Sequence, residues 1–293
     1  MRPSNLKTKI FLDSGDPKET REIIKLLGFL DGQTTNPTLI SKNPDAKKRI
    51  EQGHKFTKEE IFSFYKNVVS ELSTLMPQGS VSIEVYADKS TLKEQMFKEG
   101  KEMFSWIKNS HIKYPITKQG LLAAEKSVRE GMRVNMTLCF TKEQAAAVYA
   151  ATLGAKKGQV FVSPFVGRLD DRGENGMDLI ANIIRVYRIG DHHVEVLTAS
   201  VRSIDHFFYA LKLGSDIITA PFKILKEWGQ NGMPMPREDF IYKTSLIPIP
   251  YQQINLNRVR LGLNKPWQEY NIDHQLTDKG MEKFSKDWNS LVE

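Results

Sequence analysis

In the run His111-Ile112-Lys113-Tyr114-Pro115-Ile116 a lysine interrupts residues that otherwise read as an apolar strand. Strand alternation puts Ile112, Tyr114 and Ile116 on one face and Lys113 on the other. A lysine amine titrates near ~10.4 in water, and burial destabilises its ammonium, which is what a nucleophile at neutral pH requires. Such an amine attacks a ketone to form a Schiff base, and the Schiff base is an electron sink for breaking a carbon–carbon bond. Spacing alone fits a structural lysine paired with Glu84 or Asp13 just as well. Three further runs set polar against apolar residues. Ser82 and Glu84 alternate with Val81, Ile83 and Val85; Asn135, Thr137 and Cys139 with Val134, Met136 and Leu138; Thr198, Ser200 and Arg202 with Leu197, Ala199 and Val201. One polar face near the strand ends is what an active site inside a barrel needs.

Those residues must be positioned by something regular, and the chain supplies it. Strand-like runs are expected at Lys9–Asp13, Gly32–Asn36, Ser80–Tyr86, His111–Ile116, Arg133–Phe140, Gln159–Val166, Val194–Val201 and Asp216–Pro221. Amphipathic helical patterns separate them, at Pro17–Leu27, Thr57–Leu75, Ser90–Trp106, Lys118–Glu130, Lys142–Leu153, Met177–Ile189, Ile204–Leu213 and Phe222–Gly229. Asp16 suits the N-cap of the first of these helices. Eight strand–helix units point to an α/β chain closed as a (β/α)8 TIM barrel; an open doubly wound sheet has the same periodicity. The polar stretch Asn43–Phe56 reads as a loop or a helix extension. Residues 1–236 are expected to form the barrel. Residues 237–293, proline-rich and aperiodic until the amphipathic Leu276–Leu291, are expected to form a C-terminal helical arm on the same domain.

Composition narrows the chemistry. The 293 residues hold 42 Lys and Arg against 35 Asp and Glu, a formal charge of +7 that favours anionic partners. The single cysteine, Cys139, excludes an intramolecular disulfide and a cysteine-rich zinc site, and reads as a small core residue on the face of Thr137. The six histidines include adjacent His192 and His193, but no pair at metal-ligand spacing beside a carboxylate, so no metal is expected. Gly154-Ala155-Lys156-Lys157-Gly158 lacks the spacing of a phosphate-binding P-loop. Lys47-Lys48-Arg49 without aromatic neighbours reads as a solvated face, so no nucleic-acid partner is expected. The segment Met1–Lys7 has no apolar core of a signal peptide and no apolar run is long enough to span a bilayer, so a cytoplasmic protein without a membrane partner is expected.

Six segments, in order along residues 9–230, resemble the transaldolase family. They are Phe11-Leu12-Asp13; Asp31-Gly32-Gln33-Thr34-Thr35-Asn36-Pro37-Thr38; Ile112-Lys113-Tyr114-Pro115-Ile116-Thr117; Asn135-Met136-Thr137-Leu138; Ser163-Pro164-Phe165-Val166-Gly167-Arg168; and Ala199-Ser200-Val201-Arg202. The resemblance implies that Lys113 forms the Schiff base with a ketose phosphate and that Asp13 is the general acid–base. It implies that Glu84 and Thr137 hold a proton-relaying water, and that Asn36 and Asn135 hydrogen-bond substrate hydroxyls and the carbonyl oxygen. Ser163 would contact the dihydroxyacetone end, Phe165 would line the cavity beside the lysine, and Arg168, Ser200 and Arg202 would bind the phosphate. No cofactor is implied, the partners are small phosphorylated sugars, and homo-oligomeric assembly is left open.

The family also includes fructose-6-phosphate aldolases, which resemble transaldolases but tend to carry Gln and Tyr where this chain has Glu84 and Phe165. A tyrosine there helps release dihydroxyacetone, whereas phenylalanine leaves the enamine for an aldehyde acceptor, so the pair favours transfer. The chain departs from the pattern at Ser14, where Thr is common, and at Val201, where Phe usually precedes the arginine. The helix opening Leu276-Thr277-Asp278-Lys279-Gly280 looks familial, while residues 237–272 match nothing in the pattern.

Overall fold

The computed structural model describes residues 2–251, 263 and 265–293. Eight parallel strands close into a barrel in chain order: β1 Lys9–Asp13, β2 Gly32–Thr34, β3 Ser80–Glu84, β4 Ser110–Pro115, β5 Val134–Cys139, β6 Val160–Pro164, β7 Val194–Thr198 and β8 Ile217–Ala220. β1 pairs with β8 from Lys9–Ile217 to Leu12–Ala220, which closes the ring and excludes the open sheet. All eight helical patterns are helices, and Pro17–Leu27 and Ile204–Leu213 begin and end at the expected residues.

Local chemistry explains where several of the helices start. Asp16 caps Pro17–Leu27, accepting from Lys18 N at 2.8 Å. Thr117, Thr141 and Ser203 accept from the third amide of the helices behind β4, β5 and β7. Thr57 with Glu60, and Thr141 with Gln144, form reciprocal capping boxes. Helices bury their apolar faces outward of the strands; Ile10, Leu12 and Ile218 pack with Ile23, Phe207 and Trp228 in one such cluster.

Several strands end earlier than the apolar pattern suggests. β2 stops at Thr34 because Asn36 caps a short helix, Pro37–Ser41. Asn43 caps a second helix, Pro44–Glu51, so the polar stretch there is helical rather than a loop. β6 stops at Pro164, and Val166–Asp170 is a helical turn carrying Arg168.

Two phases also differ from expectation. In β5 the register shifts between Met136 and Cys139, and Leu138 has φ of 61°. The bulge takes Cys139 off the face of Thr137; its thiol lies 3.5 Å from Thr141 O and within electrostatic reach of Tyr187 in the outer layer. In β7 the inward residues are Glu195, which bonds Lys9 across the floor at 3.0 Å, and Leu197. Thr198 pairs with Ile218 and faces the helices, where its hydroxyl meets Ser215 Oγ at 2.8 Å. Every residue of β7 is buried, so polarity there does not separate inside from outside.

The floor of the barrel is closed. Phe11 and Phe161 meet edge to face at 6.1 Å, and His111 stacks on Phe161 at 4.0 Å. Polar side chains at the C-terminal ends of the strands therefore open only upward. Helix Gln275–Asn289 crosses that mouth. Thr277 Oγ1 bonds Leu138 O on β5 at 3.0 Å, Gly280 rests against Leu138 and Arg168, and Asp287 bonds Thr38 beyond β2. No helix among the described residues is long and apolar enough to cross a membrane.

Candidate active site

The mouth encloses a cavity of about 530 Å3. At its base Lys113 is 3% exposed. Its Nζ lies 2.7 Å from Glu84 Oε2 and donates to Thr35 O at 3.0 Å. The register makes this pair unavoidable, since Glu84 of β3 sits beside Lys113 of β4, which in turn neighbours Asn135 of β5. The ion-pair reading of Lys113 and its exposure to a substrate cavity thus hold together: the amine is both paired and on the cavity wall.

Asp13 closes the other side of the base. Its Oδ1 accepts from Thr34 Oγ1 at 2.6 Å, and Thr34 in turn meets Thr219 Oγ1 at 2.6 Å. Burial raises the Asp13 carboxyl above its ordinary value, partly offset by the charge on Lys113. Glu84 is raised for the same first reason, again offset by Lys113. Two carboxyls that hold protons more readily than in water flank one amine, an arrangement suited to moving protons to and from a substrate.

Around that base the remaining predicted residues fall at two depths. Asn36, Ser163, Phe165, Arg168, Ser200 and Arg202 line the cavity with Asp13 and Lys113. Glu84, Asn135 and Thr137 lie behind the lining, fully or nearly buried. Asn135 donates to Ser82 Oγ at 3.1 Å and accepts from Ser163 Oγ at 2.6 Å, so it sets the serine. The Thr137 hydroxyl is buried without a hydrogen-bond partner among the described residues. Asn36 spends its Oδ1 on capping, accepting from Leu39 N at 2.9 Å, which leaves its amide nitrogen for the cavity. No group of three or more histidine, cysteine, aspartate or glutamate side chains among the described residues is arranged to hold a metal ion.

At the rim, Arg168 lies between the rings of Phe165 and Phe284, 5.2 Å from each. Arg202 forks onto Asp171 at 2.5 and 2.6 Å. Ser200 has φ of 59°, and this left-handed turn is what returns Ser200 and Arg202 to the mouth although β7 has ended. Gly167 N bonds Ser200 O at 3.1 Å, and a Cβ at Gly167 would come within 2.5 Å of that oxygen, so the two rim loops meet only over glycine.

Sequence reasoning missed the far wall. Lys42, Thr38 and Thr219 line the cavity, as do Leu276, Lys279, Lys283 and Phe284 from the last helix. The spacing of Leu276, Lys279, Gly280, Lys283 and Phe284 is one helix face, a signal that was legible as a stripe but not as a wall. In all, seven basic and two acidic side chains line the cavity. A concave, cationic mouth on a parallel barrel, with a buried lysine and two perturbed carboxyls at its base, is the form of a barrel enzyme acting on a small anionic substrate.

Comparison with known proteins specifies which barrel enzymes. The family model Transaldolase/Fructose-6-phosphate aldolase matches residues 10–293. A probable transaldolase of Dehalococcoides mccartyi is 34% identical over 283 residues, 97% of this chain and 99% of that protein. One of Brucella ovis is 36% identical over 280 residues, 96% of each chain, and one of Bdellovibrio bacteriovorus is 33% identical over 281 residues, 96% of this chain and 97% of the other. The chain belongs to the transaldolase/fructose-6-phosphate aldolase family.

Proposed function

We propose that the protein is a Schiff-base transaldolase. It moves a dihydroxyacetone unit from sedoheptulose 7-phosphate or fructose 6-phosphate to glyceraldehyde 3-phosphate or erythrose 4-phosphate, as in the pentose phosphate pathway, in the cytoplasm. The observation that carries the reading is the base of the cavity, where the Lys113 amine stands between Glu84 and Asp13 beneath two arginines.

In this mechanism Glu84, 2.7 Å away, takes the proton that Lys113 must lose. The amine adds to the ketose carbonyl carbon, and the resulting carbinolamine loses its hydroxyl as water to give the iminium. A water held between Glu84 and the free Thr137 hydroxyl relays these protons. Asp13 then accepts the proton of the hydroxyl on the far carbon of the bond to be broken, the carbon that becomes the aldehyde. The carbon–carbon bond cleaves, its electron pair moves into the iminium, and an aldose phosphate leaves. The enamine on Lys113 adds to the aldehyde carbon of the acceptor, and Asp13 returns its proton to the new hydroxyl. Water finally releases the product ketose. Asn36, Asn135 and Ser163 orient the hydroxyls, and Arg168, Ser200 and Arg202 take the phosphate. The same reading treats residues 237–293 as part of the barrel domain, since the last helix walls the cavity; 252–262 and 264 of that arm lie outside the described residues.

The family also holds fructose-6-phosphate aldolases, which release dihydroxyacetone to water. Phe165 stands beside the base without a hydroxyl to assist that release, which favours transfer. Borohydride reduction in the presence of fructose 6-phosphate is expected to leave a covalent adduct on Lys113, and none in Lys113→Met. A coupled assay should then show sedoheptulose 7-phosphate formation that depends on erythrose 4-phosphate. Absence of the adduct with intact phosphate binding refutes the enzyme. Acceptor-independent release of dihydroxyacetone at the same rate makes it an aldolase instead.

A further inference from the structure

The two rim arginines are not equivalent. No hydrogen bond or ion pair engages the Arg168 guanidinium among the described residues, and the two aromatic rings beside it leave its edge open to the cavity. Arg202 is already occupied. Its Nη1 and Nη2 donate to Asp171 Oδ1 and Oδ2 at 2.5 and 2.6 Å, the end-on fork by which a guanidinium takes two oxygens of one anion. The other side of Arg202 packs on the backbone, since a Cβ at Gly167 would come within 2.4 Å of Nε and 2.7 Å of Cδ. Asp171 itself lines the cavity and directly follows the helical turn Val166–Asp170 that carries Arg168. One carboxylate, fixed to the element of the first arginine, thus fills the fork of the second.

We propose that Asp171 is a built-in competitor that tunes phosphate affinity: it holds the Arg202 fork until the phosphate of a substrate takes it away. The proposal rests on the reading of the ligand as a phosphorylated sugar. A phosphate brings up to two charges and three oxygens, enough to engage Arg168 and Arg202 together. A singly charged carboxylate or an unphosphorylated sugar gains too little to displace a partner already in the fork. The pair is about half exposed on both sides, so it is weak enough for a dianion to open. Asp171 therefore lowers affinity by one common factor for every anion that must open the fork, and by less for an anion that binds at Arg168 alone.

The test is an equilibrium titration of the full chain at pH 8 and fixed ionic strength, with inorganic phosphate and acetate as probes. In Asp171→Asn, inorganic phosphate is expected to bind roughly 2- to 5-fold more tightly, and acetate to gain no more than phosphate does. Glu22→Gln removes the same charge from an acidic side chain paired with Lys226 instead, neither of which lines the cavity, and should change phosphate affinity less than about 2-fold. Weaker phosphate binding in Asp171→Asn would mean that the carboxylate orients Arg202 and would overturn the proposal. So would unchanged affinity, an equal gain in Glu22→Gln, or no phosphate binding in either protein. Borohydride trapping with dihydroxyacetone, which has no phosphate, reports on Lys113 independently, so failure of the catalytic reading is visible apart from failure of this one.

Discussion

At the scale of single residues, the base of the cavity trades stability for proton chemistry. Asp13 is half-buried on the cavity wall and holds its proton more tightly in the folded chain than in the unfolded one. Between the unfolded value near 3.8 and the raised folded value, rising pH therefore favours unfolding, and above that window the full cost of the ionised side chain remains. Asp13→Asn removes the ionisation while its side-chain oxygen can still accept from Thr34. The variant should melt higher than the parent at pH 7.5, by ~2–4 °C for each kcal/mol relieved, with the gain vanishing near pH 4. Transfer activity should fall roughly 10²- to 10⁴-fold. Equal or lower melting at pH 7.5 would show that the attraction of Lys113 outweighs burial. Glu84 is a different case, because removing it strands a buried lysine, and Glu84→Gln should destabilise.

At the scale of elements, the last helix is placed by Gly280. Alanine in a helix interior is ordinarily better than glycine by roughly 0.5–1 kcal/mol. Here a Cβ would meet Leu138 Cδ2 at 2.5 Å and Arg168 Nη1 at 2.6 Å, both the ends of side chains that can turn aside. Gly280→Ala should therefore leave the melting point nearly unchanged while moving Arg168. KM for phosphorylated ketoses should rise several-fold at near-constant kcat, and trapping with dihydroxyacetone should be unaffected; equal losses with both ligands would refute this placement. The same helix marks where the sequence stopped being readable. The barrel was legible because strand–helix alternation and Thr or Ser caps are local signals, as at Thr117 and Thr141. Lys113 beside Glu84 was legible because both lie on strands with a clear inner face. The phase of β7 was not, since both its faces are buried, and neither was the bulge at Leu138, where no glycine announces a positive φ. The wall formed by Leu276, Lys279, Lys283 and Phe284 depends on a contact made across more than a hundred residues, to Leu138, and no local pattern encodes that distance.

At the scale of the whole molecule, the excess of seven positive charges acquires a location. Seven basic side chains face one cavity against two acidic ones, so the lining alone holds an excess of five. Charges gathered in a concave mouth with low-dielectric walls draw anions inward more strongly than the same charges spread over the surface. Lys113 and Lys42 both act on Asp13 at the base, and Arg168 and Arg202 act on each other at the rim, so cations gather at both levels. Burial of Arg168 lowers its affinity for a proton, and the neighbouring Arg202 lowers it further; an anion at the rim relieves both arginines at once. Binding of a sugar phosphate should therefore weaken with salt. Going from about 0.1 M to about 1 M shortens the screening length from ~10 Å to ~3 Å. Across that range kcat/KM for fructose 6-phosphate should fall several-fold, through KM, while borohydride trapping with dihydroxyacetone changes little. A parallel fall for the uncharged ketose would place the salt effect on Lys113 and its carboxylates instead. No dependence with either ligand would mean that the crowded charges at the mouth serve something other than substrate capture.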